Sequence, residues 1–136
     1  MKIGTVASQG ILSPKTILLK VIHDTDPLTT GDGKGYLTIP SSLNGMNMIE
    51  VAAHVYAASI SGIITIAVYN VTKGQDMLST NITIDANEKD SATAAIPVVI
   101  NTAADDVSTA NEIRIDVDGA GANAQGLEMR LSFKLP

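Results

Sequence analysis

The chain has 136 residues, a formal net charge of −5 and no cysteine. That length gives one domain of ordinary size, able to hide roughly two-thirds of its unfolded surface without staples. The composition excludes disulfides, thiolate metal sites and thiol catalysis, and the few, scattered basic residues argue against nonspecific binding of nucleic acid.

Residues 1–15 are weakly patterned, with Gly4, Gly10 and Pro14, and read as an extended arm or a short first strand. Met1–Gly10 has one lysine and no apolar run, so no secretion signal is expected. No stretch reaches the ~20 apolar residues of a membrane helix. Thr16–His23 is apolar and β-branched, hence a strand. Asp24–Gly35 is dense in turn formers and reads as a loop. Tyr36–Pro40 is a short strand, and Ser41–Asn47 a turn in which Asn44-Gly45 suits positive φ.

Met48–Ala58 is a long strand with Val51, Ala53, Val55 and Ala57 on one face. Ser59–Gly62 turns. Ile63–Val71 follows, with Ile64, Ile66 and Val68 inward. Thr72–Asp76 turns around Gly74. Leu78, Thr80, Ile82 and Ile84 then alternate with polar residues as one strand. Ala86–Ala92 is a polar loop. Ala94–Asn101 is a strand interrupted by Pro97, which fits an edge or a bulge. Thr102–Asn111 is a polar connection, with room for one helical turn in Ala103–Asn111. Ile113, Ile115 and Val117 mark another strand, Gly119–Gly126 a flexible loop. Leu127, Met129, Leu131, Phe133 and Leu135 alternate with Glu128, Arg130, Ser132 and Lys134 in the last strand. Two Asn-x-Thr sequons, at Asn70 and Asn81, read as ordinary strand and turn sequence.

Eight or nine strands with turns at about ten-residue spacing predict an all-β chain, an antiparallel β-sandwich with the jelly roll as the best-fitting subtype. The expected organisation is an arm or first strand over 1–22 and a single sandwich domain over 23–136. With one Phe, three Tyr and no Trp, the core must be aliphatic.

No catalytic set interrupts the strands, and no enzyme activity is expected. Asp116 and Asp118 lie two apart, share a strand face and could offer two carboxylates to a hard cation such as Ca²⁺. The alternative is that they are the wet partners of Ile115 and Val117. Asp105 and Asp106 sit in a loop. Asp24-Thr25-Asp26 and Gly31-Asp32-Gly33 have the flavour of a Ca²⁺ loop, but neither completes an EF-hand pattern, which needs later ligands and a closing Glu. Gly31-Asp32-Gly33-Lys34-Gly35 lacks the spacing and the following helix of a phosphate loop, and there is no G-x-S-x-G nucleophile turn. His23 and His54 are the only histidines, and a lone His on a sheet face is more often packed or solvated than catalytic. Tyr36, Tyr56 and Tyr69 are the whole stock of sugar-stacking platforms other than Phe133 of the core. Ile63, Ala67, Ala52 and Ala58 fall opposite the core side, an apolar excess that hints at subunit contact.

The series Gly31–Asn47, Val68–Thr72, Asp76–Thr80, Ile82–Glu88 and Ile113–Asp118 resembles a group of small structural proteins of tailed bacteriophages and prophages. The likeness spans about residues 28–136 and consists of turn and strand signatures. It implies a β-sandwich on the virion surface and carries over no catalytic residue, cofactor or metal. The implied function is a virion structural protein, foremost a capsid-surface decoration or cement protein, assembled in the host bacterial cytoplasm. The implied partners are further copies of the chain, a trimer among them, and the major capsid or other virion proteins; charge and hydropathy leave no nucleic acid and no membrane among the expected partners. The alternative is a tail or head-fibre domain that binds a host-surface glycan, with its site among loops 24–35, 86–92 and 119–126. A sandwich module stabilised by Ca²⁺ is a third reading.

Overall fold

A computed structural model of the chain describes residues 13–136. Ten strands alternate with two single 3₁₀ turns, Ser41–Leu43 and Ser91–Thr93. The strands are β1 (Lys15–Pro27), β2 (Gly31–Thr38), β3 (Asn47–His54), β4 (Ile64–Asn70), β5 (Gln75–Asp76), β6 (Leu78–Thr80), β7 (Ile82–Ile84), β8 (Val99–Ile100), β9 (Glu112–Ala120) and β10 (Gln125–Lys134). Every pairing is antiparallel. One sheet runs β1-β10-β3, a second β2-β9-β4-β5 with β7 also beside β4, and β6 pairs with β8. The first strand thus pairs with the last, and the second with the one before the last.

The alternation along β10 decides the core. Leu127, Met129, Leu131 and Phe133 are buried, and the registers set Met129 against Ala53 and Leu131 against Val51. From the second sheet, Ile66 against Val117 and Val68 against Ile115 join the same hydrophobic cluster. A strand shows alternate residues to opposite faces, so a period of two along four strands builds one shared core. Ile17, Leu19 and Val21 of β1 pack against it but stay half-buried, because β1 is an edge strand.

Several expected boundaries move. Most of the loop expected over 24–35 is instead the end of β1 and the start of β2, with only residues 28–30 between them. Both are edge strands among the described residues, and both hold extra residues. Between Ile22↔Leu127 and Pro27↔Gln125, and again between Gly31↔Val117 and Gly35↔Ile115, the outer strand advances further than its partner. Bulged edges accept Asp, Gly and Pro that a central strand would reject. Residues 15–22, expected in an arm or first strand, lie in β1, so a boundary at residue 22 cuts through a paired strand. Residues 1–12 of that arm lie outside the described residues.

The strand expected over 78–85 divides at Asn81, with β6 pairing β8 and β7 pairing β4. That division and the short β5 bring the number of strands to ten. The strand expected over 94–101 shrinks to Val99–Ile100, since Pro97 has no amide hydrogen to give a ladder. β3 ends at His54, four residues early. Beyond it, Tyr56 and Ala57 donate their amides to the Gln125 carbonyl. β9 runs on to Ala120, so the loop expected over 119–126 keeps only residues 121–124. No helical turn forms in Ala103–Asn111; the two 3₁₀ turns lie elsewhere.

Candidate functional site

The sequence candidates gather on two outer sheet surfaces. On the second sheet, Tyr36 of β2, Arg114 of β9, Tyr69 of β4 and Asp76 of β5 stand in one cross-strand row. The Arg114 guanidinium lies 4.8 Å from the Tyr69 ring centroid, within cation–π range. Its Nε and Nη2 donate to the two carboxylate oxygens of Asp116 at 2.8 and 3.0 Å. The Gly33 amide donates to Asp116 Oδ1 as well, at 2.9 Å. Gly33 adopts φ 68°, and a Cβ there would collide with the Tyr36 hydroxyl. The bulge of β2 therefore curls over Asp116 and leaves it 5% exposed.

This arrangement separates the two metal candidates. Asp116 is committed to Arg114 and Gly33. Asp118 is exposed and accepts from Asn81 Nδ2 at 3.3 Å. Burial, then the charges of Asp116, Asp32 and Asp76, push the Asp118 carboxyl up. Among the described residues, no group of three or more His, Asp or Glu is placed to hold a metal ion. The buried Asn70 donates to Asn111, and its oxygen accepts the Lys73 amide, so the first sequon has no free carboxamide.

The first sheet carries the concave feature. Its outer face brings Lys20 of β1, Glu128 of β10 and His54 of β3 into one cross-strand row. Together with Asp24, Tyr56 and Lys89 they line a cleft of about 260 Å³ that reaches Leu127, whose side chain is buried in the core. Lys20 Nζ donates to Asp24 Oδ1 at 2.6 Å. That bond lowers the Asp24 carboxyl and raises the Lys20 ammonium. The Lys89 ammonium stands 6.0 Å from the Tyr56 ring centroid, at the far limit of a cation–π contact. Tyr56 is 55% exposed.

One acidic residue anchors the histidine of this cleft. Asp90 accepts from Arg130 Nη1 and Nη2 at 2.9 and 3.0 Å, and from the Ala92 amide at 2.9 Å. It stands 2.7 Å from His54 Nδ1. The Arg130 fork holds its carboxyl well below the usual carboxylate range, against the opposing effect of burial. An ionised Asp90 only accepts, so His54 Nδ1 carries the hydrogen. Beyond Arg130 a second groove of about 360 Å³ runs between Ala52 and the Ala92–Val98 segment.

The structure thus brings together His54, Tyr56 and Asp24 in the cleft, and Tyr36, Tyr69, Asp32, Asp116 and Asp118 on the other sheet. His23 stands apart on β1, with Thr25 Oγ1 3.5 Å from its Nδ1. Asp105 and Asp106 join neither surface; the Asp105 carbonyl accepts the Met48 amide and Asp106 pairs with Lys73. Sequence reasoning did not single out Lys20, Lys89, Asp90, Glu128 or Arg130 as site residues. The outward half of the clearest alternating strand, Glu128 and Arg130, was the signal that could have found the cleft. No protein-family model matches the chain, and no curated protein matches it.

Proposed function

We propose that the chain is a structural protein of a bacteriophage virion, foremost a decoration or cement protein on the capsid surface. The observation that carries this reading, beside the sequence resemblance, is the long edge strand β1. It spans 13 residues, has one strand neighbour among the described residues, and presents Leu18 at 64% exposure. An uncovered edge is a ready template for pairing with another chain. Ile60, Ile63 and Ile96 add further exposed aliphatic surface. The nested pairing of β1 with β10 and of β2 with β9 supports a jelly-roll sandwich, with β3 and β4 completing the two sheets. In this reading the protein self-associates, with a trimer among the symmetries that fit, and contacts major capsid subunits, on a virion surface assembled in the bacterial cytoplasm. Contact energy would come from apolar area at ~25 cal/mol per Å², less the costs of association.

Imaging virions at subunit resolution tests it. Regular density over the capsid lattice is the expected result, and its absence there overturns the decoration role. Truncation is informative for residues 1–12 only, because deleting 1–22 would also remove more than half of β1 from its sheet.

The second reading is a tail or head-fibre domain that binds host glycan. The observation favouring it is the cleft beside Tyr56, where Asp24, Lys89 and the Gln125 region converge, close to the three loops expected to carry such a site. Density confined to a tail or fibre tip would favour this reading.

A further inference from the structure

We propose that the cleft between Lys20, His54, Tyr56, Lys89 and Glu128 binds a single neutral sugar ring. The proposal rests on the glycan reading and specifies its ligand. Four observations carry it.

Size comes first. A cleft of about 260 Å³ is smaller than the ~300–1,000 Å³ of ordinary ligand sites, so it admits one ring rather than an oligomer.

Charge comes second. Lys20 and Lys89 are balanced by Asp24 and Glu128 around the cleft. Neither an acidic nor a basic ligand gains a net field there, whereas a polyol meets donors and acceptors of both kinds.

The third is the state of those groups. Lys20 and Asp24 hold each other, and His54 is held by Asp90. Among the described residues, the Glu128 carboxylate and the Lys89 ammonium form no hydrogen bond or close ion pair; Glu128 meets Lys20 and Arg130 only through their charge, and Lys89 faces the Tyr56 ring, so both keep hydrogen-bonding capacity for a hydroxyl. Glu128 accepts from a pair of neighbouring hydroxyls, and Lys89 donates to a third oxygen.

The fourth is the ring. Tyr56 is the one aromatic side chain at the cleft, and more than half of its surface is open. A pyranose presents C–H groups on one face, and these pack on an aromatic plane. Lys89 sits 6.0 Å from the ring centroid, loosely enough to move aside. The backbone that carries the ring is held in place, because the Tyr56 amide donates to the Gln125 carbonyl at 2.9 Å.

The test is an amide-resolved NMR titration of the whole chain with methyl glycosides of glucose, galactose, mannose and N-acetylglucosamine. Parallel titrations use sialic acid and a zwitterionic amino acid. The expected result is a roughly millimolar affinity for at least one neutral glycoside. The shifts should centre on Lys20, Asp24, His54, Tyr56, Lys89 and Glu128. Tyr56→Ala and Glu128→Gln should each weaken binding by roughly tenfold, while Tyr36→Ala on the other sheet leaves it unchanged. Tyr56→Phe keeps the ring and should keep binding, which separates lost stacking from lost fold. Binding of sialic acid or the amino acid at the cleft, with the neutral glycosides silent, overturns the proposal. In the sialic acid case the broader glycan reading survives. Silence of every sugar overturns the proposal and removes the cleft as support for that reading.

Discussion

Arg130 of β10 grips Asp90 by both carboxylate oxygens, and so ties the 86–93 connection to the outer face of the first sheet. The same carboxylate caps the Ser91–Thr93 turn through the Ala92 amide and meets His54 at the end of β3. One side chain therefore joins three chain segments far apart in sequence. Charge-assisted, two-point bonds of this kind are the strong ones. Asp90→Ala should lower unfolding free energy by about 1–3 kcal/mol, after allowing for partial exposure. Arg130→Lys should recover only part of it, because an ammonium cannot form the fork. Urea denaturation of the three proteins checks both.

The same contact sets a pH dependence. Asp90 is ionised far more easily in the folded chain than in the unfolded one, with the Arg130 fork as the main cause. The folded state therefore binds the proton less well than the unfolded state does. Its stabilising contribution is complete above the unfolded pKa of about 3.9 and fades as pH falls below that value toward the folded pKa. The stability gap between wild type and Asp90→Asn should be constant from neutral pH down to about pH 5, then narrow. A gap unchanged at pH 3 would contradict the assignment. Denaturation midpoints measured across that range decide it.

A second joint lies among the loops that follow β3, β7 and β9. Ser59 is fully buried, and its hydroxyl donates to the Ser61 and Gly62 carbonyls while accepting the Ala122 amide. The Asn87 amide donates to the Ser59 carbonyl, so three loops meet there. Ser59→Ala leaves the Ala122 amide without its partner and should cost about 1–3 kcal/mol. Gly121→Ala should cost more than the ~1 kcal/mol of a left-handed alanine alone. Its backbone has φ 62°, and its Cβ would strike the Ser59 hydroxyl. Thermal melts of both variants measure this.

The central strands were legible because burial on one face leaves a period of two in the sequence. Leu127 to Phe133 and Ile113 to Val117 show it, and both are buried as read. The edges were not legible. Asp24, Gly31 and Gly33 carry turn chemistry, yet β1 and β2 absorb them as bulges, which only the partner strand's register reveals. The Asp90 junction was hidden for a related reason. Its partners lie 36 and 40 residues away, and a polar residue in a polar loop carries no mark of its partner. Tyr56 and His54 stood out as rare residue types. Their convergence with Glu128 and Lys89 depends on which strands neighbour which, and strand order is not written in local pattern.

The core prediction follows from the same period. Phe133 is fully buried among side chains of both sheets and faces Met48 in register. Phe133→Ala removes the one phenylalanine of an aliphatic core and should cost about 3–5 kcal/mol. Ile115→Val, one methyl fewer at a similar depth, should cost about 0.5–1.5 kcal/mol. Comparable losses for the two variants would mean that the site of Phe133 collapses around the gap. Urea titration of both variants reads the difference.

Asp118 runs opposite to Asp90. Burial comes first among the causes that raise its carboxyl, followed by the neighbouring charges of Asp116, Asp32 and Asp76. The folded chain therefore holds this proton more tightly than the unfolded chain. Ionising Asp118 costs stability, and the cost is complete only above the folded pKa. Asp118→Asn should stabilise the protein at neutral pH, and the gain should vanish in acid, where both residues are uncharged. The amide oxygen of the new residue still accepts from Asn81 Nδ2. A bound Ca²⁺ would reverse the sign, since it would need the charge. With Asp116 already held by Arg114 and Gly33, neither added Ca²⁺ nor a chelator should move the melting temperature. A rise with Ca²⁺ that Asp118→Asn abolishes would reinstate the pair as ligands.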